Sequence, residues 1–202
     1  MDLIILLDYL GVFFFSMSGI LAASEKKLDL FGGFVIAFVT ALGGGTLRDL
    51  LLNIDIVWVS NVNYVYIIVI GVVFGVLFKK VLRKIRKTLF LFDTVGISLF
   101  TILGVQKAIS LDVPTILVVL FGVISATFGG VIRDTLCNEI PLIFRKEVYA
   151  TACILGAICY AILSYFEVPV VYCMVLSGSL IMAIRTISVI KKIRIPIVND
   201  PL

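Results

Sequence analysis

The stretch GGTLRD at residues 44–49 returns as GGVIRD at residues 129–134, 85 positions further along a strongly apolar chain. Glycine weakens the interior of a helix, and an ionisable side chain is costly inside a bilayer. Both features are therefore unfavourable in a helix that is surrounded by lipid. Their occurrence twice, at one fixed spacing, indicates a duplicated functional element.

The similarity between the two copies extends well beyond this stretch, because residues 6–71 align with residues 91–156 without a gap. Apolar residues agree by chance in membrane proteins, so the informative matches are those of polar residues and glycines. These matches are Asp8 with Asp93, Gly44 and Gly45 with Gly129 and Gly130, Arg48 with Arg133, Asp49 with Asp134, Asn53 with Asn138, and Tyr64 with Tyr149. The sequence therefore predicts an internal duplication.

The composition is that of an integral membrane protein. Of the 202 residues, 61% are hydrophobic and 15% are charged, and the mean hydropathy is +1.21. Soluble domains keep roughly a quarter of their residues charged. The length indicates one membrane domain over residues 1–202.

The same composition excludes several kinds of function. The chain has no histidine, which removes histidine-based metal sites and histidine general bases. We therefore expect no enzyme, no catalytic residues, no bound metal and no cofactor. The formal charge of +4 comes mainly from basic residues in short loops, so we expect no binding of nucleic acid.

Seven segments are long and apolar enough to be transmembrane helices, which need about 20 residues each. They cover roughly residues 3–23, 31–52, 62–79, 89–108, 114–138, 149–165 and 169–190. Fourteen Lys and Arg residues, Arg185 among them, are assigned to loops on one side of these spans, and at most one lies on the other side. The positive-inside rule then predicts an outside N-terminus and a cytoplasmic C-terminus in the cell (inner) membrane.

Each copy of the duplicated unit holds three spans, so the second copy is expected to cross the membrane in the opposite direction. The predicted fold is an all-α membrane protein with seven transmembrane helices. It comprises a first repeat over residues 3–80, an inverted second repeat over residues 88–165, and an extra helix over residues 169–190.

The glycine tracts of the second and fifth spans are the candidate pore elements. Gly43 lies about 13 residues from the inner end of its span, which is roughly 20 Å into the bilayer. Close packing of helices would explain a single glycine. Tracts at equivalent positions of two copies favour broken helices that present free backbone groups to a water-filled path. The candidate residues are Gly43, Gly44, Gly45, Thr46, Ser125, Thr127, Phe128, Gly129 and Gly130.

Ionisable residues inside spans form the second set of candidates. Asp8 and Arg48 are expected roughly 7 Å below the outer surface, with Asp93 and Arg133 at the mirrored depth. Charges inside a membrane normally pair, so we predict Asp8–Arg48 and Asp93–Arg133 contacts, or the equivalent contacts between repeats. Two roles remain open, gating of a path and locking of helices. The neighbouring carboxylates Asp49 and Asp134 complete the set.

These residues make the chain similar to the trimeric intracellular cation (TRIC) channel family, in its short prokaryotic branch. The motifs are LDYLG at 7–11, GGGTLRD at 43–49, FDTVG at 92–96, GVQKA at 104–108 and FGGVIRD at 128–134. The resemblance implies a homotrimer with one pore per subunit, lined by the first, second, fourth and fifth spans and kinked at the glycine motifs. It implies monovalent cations, chiefly potassium, as permeant ions.

One departure from the family motif is Phe128, which stands where the first glycine is expected. The resemblance then implies a milder second break and a ring that narrows the path. Prokaryotic relatives have also been described as glycine transporters. The alternative function is therefore a secondary transporter in which the arginines and half-helix N-termini hold the carboxylate of a small amino acid. The cluster of basic residues from Lys79 to Lys87 suits anionic lipid headgroups as well as membrane topology.

Overall fold

The structure is a computed structural model that describes residues 3–82 and 88–194. In these residues the chain is helical. The eight α-helices are α1 (Leu3–Glu25), α2 (Leu30–Leu51), α3 (Val57–Ser60), α4 (Asn63–Leu82), α5 (Thr88–Ile109), α6 (Thr115–Leu136), α7 (Ala150–Tyr165) and α8 (Val170–Ile190). A short 3-10 turn at Leu142–Phe144 follows α6, and an isolated antiparallel bridge joins Glu147 to Arg194.

A helix lies at each of the seven predicted spans, with its ends within three residues of the prediction. By length and hydropathy, five of these helices can cross a membrane: α1, α2, α5, α6 and α8. Shorter apolar helices lie at Asn63–Phe78, within α4, and at Ala150–Tyr165. The four-residue helix α3 was not predicted, and it lies in the loop between the second and third spans.

The turns between helices repeat along with the helices. Asn53 and Asn138 both have φ near 53°, and Lys27 and Asp112 have φ of 57° and 52°. In each of these two pairs the residues are 85 positions apart, so the two copies leave their helices through the same left-handed backbone conformation. The caps differ, since Asp29 accepts a hydrogen bond from the Gly32 amide at the start of α2, whereas the N-cap of α6 is Pro114, whose side chain makes no hydrogen bond.

Four helices form the centre of the molecule. The most extensive interfaces join α1 with α2, α5 with α6, α1 with α5, and α2 with α6. Helix α4 packs mainly on α1, α7 packs on α6, α8 and α5, and α8 packs on α5 and α7. The first two spans of each copy therefore meet those of the other copy at the core, and α8 attaches to the second copy.

The central crossing of α2 and α6 has no room for a side chain. A Cβ atom on Gly44 would collide with the backbone carbonyl oxygen of Ser125, and a Cβ atom on Gly129 would collide with that of Thr40. As residue numbers rise along α2, the contacted numbers fall along α6, so the two helices cross in the antiparallel sense. Glycine is therefore required here for close approach of two backbones.

The predicted breaks in the second and fifth spans are wrong. Helix α2 runs unbroken through Gly43–Gly45, and α6 runs unbroken through Gly129 and Gly130. A continuous helix satisfies its backbone hydrogen bonds internally, which a break inside a membrane does not. The hydroxyls of Thr40 and Ser125 also stay with their own helices, since they donate to the carbonyls of residues 36 and 121.

We predict that Gly44→Ala lowers the thermal stability of the purified protein, because α2 and α6 must separate to admit a methyl group. Overpacking of this kind costs about 1–3 kcal/mol. The matched control is Gly45→Ala, whose Cβ would meet only Arg48 Nη2, at 3.8 Å. That variant should unfold at the wild-type temperature or above, since alanine is the better helix former. Equal shifts of the two unfolding midpoints would contradict the crossing described above.

Candidate functional site

Two clusters of polar side chains, buried except for the half-buried Asp8, lie at equivalent places in the two copies. The first charge cluster consists of Asp8 on α1, Arg48 and Asp49 on α2, and Tyr64 on α4. The second charge cluster consists of Asp93 on α5, Arg133 and Asp134 on α6, Tyr149 at the start of α7, and Arg185 on α8. Each arginine follows a crossing glycine by four residues, so both arginines lie one helical turn from the α2–α6 contact.

The arginine–aspartate pair of the repeated motif has the same geometry in both copies. Arg48 Nε donates to Asp49 Oδ1 at 2.8 Å, and Arg133 Nε donates to Asp134 Oδ1 at 2.8 Å. The other carboxylate oxygen accepts a backbone N–H eight residues further on, that of Val57 or Leu142. The motif thus neutralises its own arginine and ties the end of the helix to the chain that follows.

The predicted Asp93–Arg133 contact is confirmed. Arg133 Nη1 lies 2.8 Å from Asp93 Oδ1, and both side chains are buried. The same nitrogen donates to Ser18 Oγ at 2.7 Å, so α1 also contributes to the second charge cluster. Arg185 Nη2 approaches the other oxygen of Asp93, Oδ2, at 3.7 Å. The buried Asp93 carboxylate therefore lies between two arginines.

The predicted Asp8–Arg48 contact is wrong, because both groups have taken other partners. Asp8 Oδ2 accepts a hydrogen bond from the Tyr64 hydroxyl at 2.5 Å. Arg48 Nη2 lies 2.7 Å from Asp49 Oδ1. Asp8 and Arg48 nevertheless line the same cavity, of about 20 Å³, which is large enough for one water molecule.

The two aspartates therefore differ in their partners although they are equivalent in sequence. Asp8 bonds to Tyr64, whereas Asp93 bonds to Arg133. The hydroxyl of Tyr149, the equivalent of Tyr64, has no hydrogen-bond partner among the described residues. The aspartate of α1 is therefore paired with a tyrosine, and the equivalent aspartate of α5 is paired with an arginine.

The remaining predicted residues lie around these clusters. Gly43 faces the Ile132 side chain, Gly45 lies beside Arg48, and Gly130 lies beside Tyr149 and Arg133. Thr46 accepts a hydrogen bond from Trp58 Nε1 of α3, and Thr127 donates to the Val123 carbonyl of its own helix. Phe128 is 36% exposed, so its ring lies at the surface of the chain.

A surface ion pair joins the loops of the two copies. Glu139, after α6, accepts a hydrogen bond from Lys26 Nζ at 2.5 Å and another from Arg145 Nη2 at 3.1 Å. The hydrogen bond from Lys26 lowers the pKa of the exposed Glu139 carboxyl from its usual value, and the positive charge of Lys26 is the second largest cause. A lowered pKa means that this link is formed at neutral pH and is lost only when the pH falls through that lowered value.

Sequence reasoning missed the partners that come from other elements. Arg185 was assigned to a cytoplasmic loop, but it lies inside α8 and is fully buried, with its guanidinium over the rings of Phe90 and Tyr149. Its position before the last helical turn of an apolar segment was the available signal. The match of Tyr64 with Tyr149 was a second signal, since both tyrosines belong to the clusters.

Cysteine and carboxylate side chains do not assemble into a metal site in the part of the chain that the structure describes. The four cysteines are free thiols, and three of them are buried. Among the described residues, the buried charged side chains all belong to the two charge clusters.

We predict that Asp93→Asn destabilises the protein more than Asp8→Asn. The first change leaves two buried arginines facing a neutral amide, and breaking a buried ion pair typically costs about 3–5 kcal/mol. The second change keeps a group that can accept the hydrogen bond of Tyr64. Thermal unfolding of the two purified variants measures the difference. Equal midpoints would show that the Asp93–Arg133 pair contributes no more to stability than the Asp8–Tyr64 hydrogen bond.

The chain matches a known protein family. The family model described as glycine transporter matches the chain twice, over residues 5–80 and residues 90–165. The two matches are 85 residues apart, which is the spacing of the internal duplication.

The chain is also similar to curated bacterial membrane proteins. It is 39% identical over 159 residues to a UPF0126 membrane protein of Vibrio cholerae. That match covers 78% of this chain and 66% of the relative, just under two thirds of its length. It is 38% identical over 166 residues to the UPF0126 inner membrane protein YadS of Escherichia coli, covering 81% of this chain and 80% of that protein.

Solved structures match over nearly the whole chain. The TRIC trimeric intracellular cation channel orthologue from Rhodobacter sphaeroides superposes with a TM-score of 0.91 at 33% identity, covering 96% of this chain and all (100%) of that one. A structure described as the basis for conductance through TRIC cation channels superposes with a TM-score of 0.88 at 32% identity, with 100% of both chains covered. The double family match and the shared fold identify the chain as a multi-pass membrane protein of the family described as glycine transporter, to which the TRIC cation channels belong.

Proposed function

We propose that this protein is a passive channel for monovalent cations, with a permeation path inside each subunit that passes both charge clusters. The observation that carries the proposal is the occurrence of two buried arginine–carboxylate clusters at equivalent places, one on each side of the α2–α6 crossing. Intramembrane charges mark ion pathways by default. The solved relatives are TRIC cation channels, which supports transport and not catalysis.

The proposed architecture has seven spans, as two inverted three-helix repeats and the extra helix α8. Reciprocal contacts support the inversion. Gly44 meets Ser125 while Gly129 meets Thr40, and these two contacts interchange when every residue is shifted by 85 positions. On α1 and α5, Gly11 meets Phe100 while Gly96 meets Phe15, with the same interchange. A two-fold axis in the membrane plane would generate this pattern.

The arginines are compatible with cation passage because carboxylates neutralise them. An unpaired guanidinium would repel a cation, but Arg48 is paired with Asp49, and Arg133 is paired with Asp93 and Asp134. Because α2 and α6 are continuous, backbone carbonyls freed by helix breaks are not the expected ligands. Side-chain oxygens of the clusters and water are the groups available to a passing ion.

Further features of the proposal come from the resemblance and the charge pattern. We propose potassium as the main permeant ion and a homotrimer with one pore in each subunit. We also propose an outside N-terminus and a cytoplasmic C-terminus, on the basis of the loop charges. The expected binding of anionic headgroups by Lys79–Lys87 concerns side chains that lie outside the described residues, and it remains a proposal.

The second candidate is a carrier of a small amino acid, and the description of the matching family model favours it. In that case the guanidinium of Arg133 would hold a carboxylate and Asp93 an ammonium group. Both side chains are fully buried and bonded to each other at 2.8 Å, so Arg133 is not open to a substrate carboxylate, which speaks for the channel.

We predict unitary currents when the purified protein is inserted into a planar lipid bilayer in symmetric potassium chloride. Reversal potentials under a potassium chloride gradient should show cation preference, and replacement of potassium by a large organic cation should abolish the current. Asp8→Asn should change the unitary current, because Asp8 lines the cavity of the first cluster. The control Asp55→Asn, on an exposed loop residue, should leave the current unchanged.

Two results would contradict parts of this proposal. Saturable uptake of glycine into vesicles without unitary currents would overturn the channel proposal and support the carrier. An unchanged current in Asp8→Asn, together with a lower unfolding temperature, would assign the first cluster to helix locking alone.

A further inference from the structure

The second charge cluster contains one group that has no counterpart in the first. Arg185 belongs to α8, which follows both repeats, so the duplication supplies no equivalent arginine to Asp8. Its side chain is fully buried, which is expensive for a guanidinium unless charges and hydrogen bonds compensate it. Such a residue calls for a specific role.

Arg185 contacts both Asp93 and Tyr149, the equivalents of the two residues that pair in the first cluster. Its Nη2 lies 3.7 Å from Asp93 Oδ2, and its guanidinium carbon lies 4.7 Å from the centre of the Tyr149 ring. In the first cluster the equivalent residues, Asp8 and Tyr64, are bonded directly to each other. In the second cluster the Tyr149 hydroxyl and Asp93 Oδ2 both lack a hydrogen-bond partner among the described residues.

Other contacts fix Arg185 in this place. Its Nη1 donates to the Val148 carbonyl at 3.1 Å and lies 3.5 Å from Glu147 Oε2. The ring of Phe90 lies on the guanidinium, with its centre 4.9 Å from the guanidinium carbon. Cation–π contacts and the carbonyl orient the arginine, so it is held beside Asp93 and Tyr149 without depending on either alone.

From these contacts we infer that Arg185 is a positioning residue that keeps Asp93 Oδ2 from pairing with the Tyr149 hydroxyl, and so makes the two ends of the permeation path unequal. The inference rests on the proposed channel function and deepens it. Without Arg185, Tyr149 and Asp93 would be free to form the pair that Tyr64 and Asp8 form. The second cluster would then contain a tyrosine–aspartate pair as the first does, with Arg133 on the other oxygen of Asp93, Oδ1.

A path with two unequal charged ends passes current unequally in the two directions. The measurable quantity is the rectification ratio, which is the unitary current at one voltage divided by that at the opposite voltage, in symmetric potassium chloride. Recording single channels avoids averaging over the two orientations of insertion. We expect a wild-type ratio that differs from one, and a ratio closer to one in Arg185→Gln.

Matched tyrosine variants supply the control, and the first two of them do not depend on the folding of an Arg185 variant. Tyr66→Phe removes the hydroxyl of an exposed tyrosine of α4 that belongs to neither cluster, so the rectification ratio should stay at the wild-type value. Tyr64→Phe removes the hydrogen bond to Asp8, so it should change the ratio. In the Arg185→Gln background, Tyr149→Phe should move the ratio again, because the newly formed pair loses its hydroxyl.

Several results would overturn the inference while leaving the channel intact. They are a wild-type ratio of one, an Arg185→Gln channel that folds and rectifies as the wild type does, and an Arg185→Gln channel in which the added Tyr149→Phe leaves the ratio unmoved. A merely structural role of Arg185 would lower the unfolding temperature without moving the ratio. Absence of unitary currents from the wild type would instead contradict the proposed function itself.

Discussion

The close crossing of α2 and α6 is the contact on which the remaining structure depends. Gly44 faces the backbone of α6 and Gly129 faces the backbone of α2, so the two helices touch with no side chain between them at these points. Arg48 and Arg133 follow these glycines by four residues, about 6 Å further along each helix at 1.5 Å per residue. Because the helices cross in the antiparallel sense, the two arginines leave the crossing in opposite directions. A single contact therefore fixes the places of both charge clusters.

The repeated motif joins packing to electrostatics. Its glycines allow the helices to approach, its arginine lies one turn away, and its aspartate neutralises that arginine and binds the following backbone. A buried guanidinium without this carboxylate would be strongly destabilising. The aspartate thus offsets the unfavourable burial of the arginine that the motif carries.

The helix α8 breaks the equivalence of the two copies. Arg185 contacts Asp93 and Tyr149 in the second cluster. The first cluster has no such arginine, and there Asp8 and Tyr64 are bonded to each other. The two copies also differ at Gly43 and Phe128, which occupy equivalent positions 85 residues apart. Phe128 lies at the surface of the chain, so the buried Arg185 is the stronger candidate for the origin of the unequal ends.

The helices and the duplication could be predicted from the sequence, because hydropathy and a repeated motif are visible in it. The Asp93–Arg133 contact could be predicted because charges inside a membrane normally pair with an opposite charge. It did not predict that α2 and α6 are continuous, because glycine in a membrane is compatible with both a break and a close approach. The pairing of Arg48 with its own neighbour Asp49 depends on side-chain rotamers. The place of Arg185 depends on how α8 packs, which no repeat encodes.

The opposite insertion of the two repeats is tested most directly by the accessibility of equivalent loop positions. Asp55 and Ile140 are exposed, lie 85 residues apart and follow α2 and α6 respectively. Each is replaced by cysteine in a variant whose four native cysteines have been removed, and intact cells are treated with a membrane-impermeant thiol reagent. The inverted arrangement predicts labelling of Asp55→Cys from outside and of Ile140→Cys only after the membrane is opened. Labelling of both positions from the same side would contradict it.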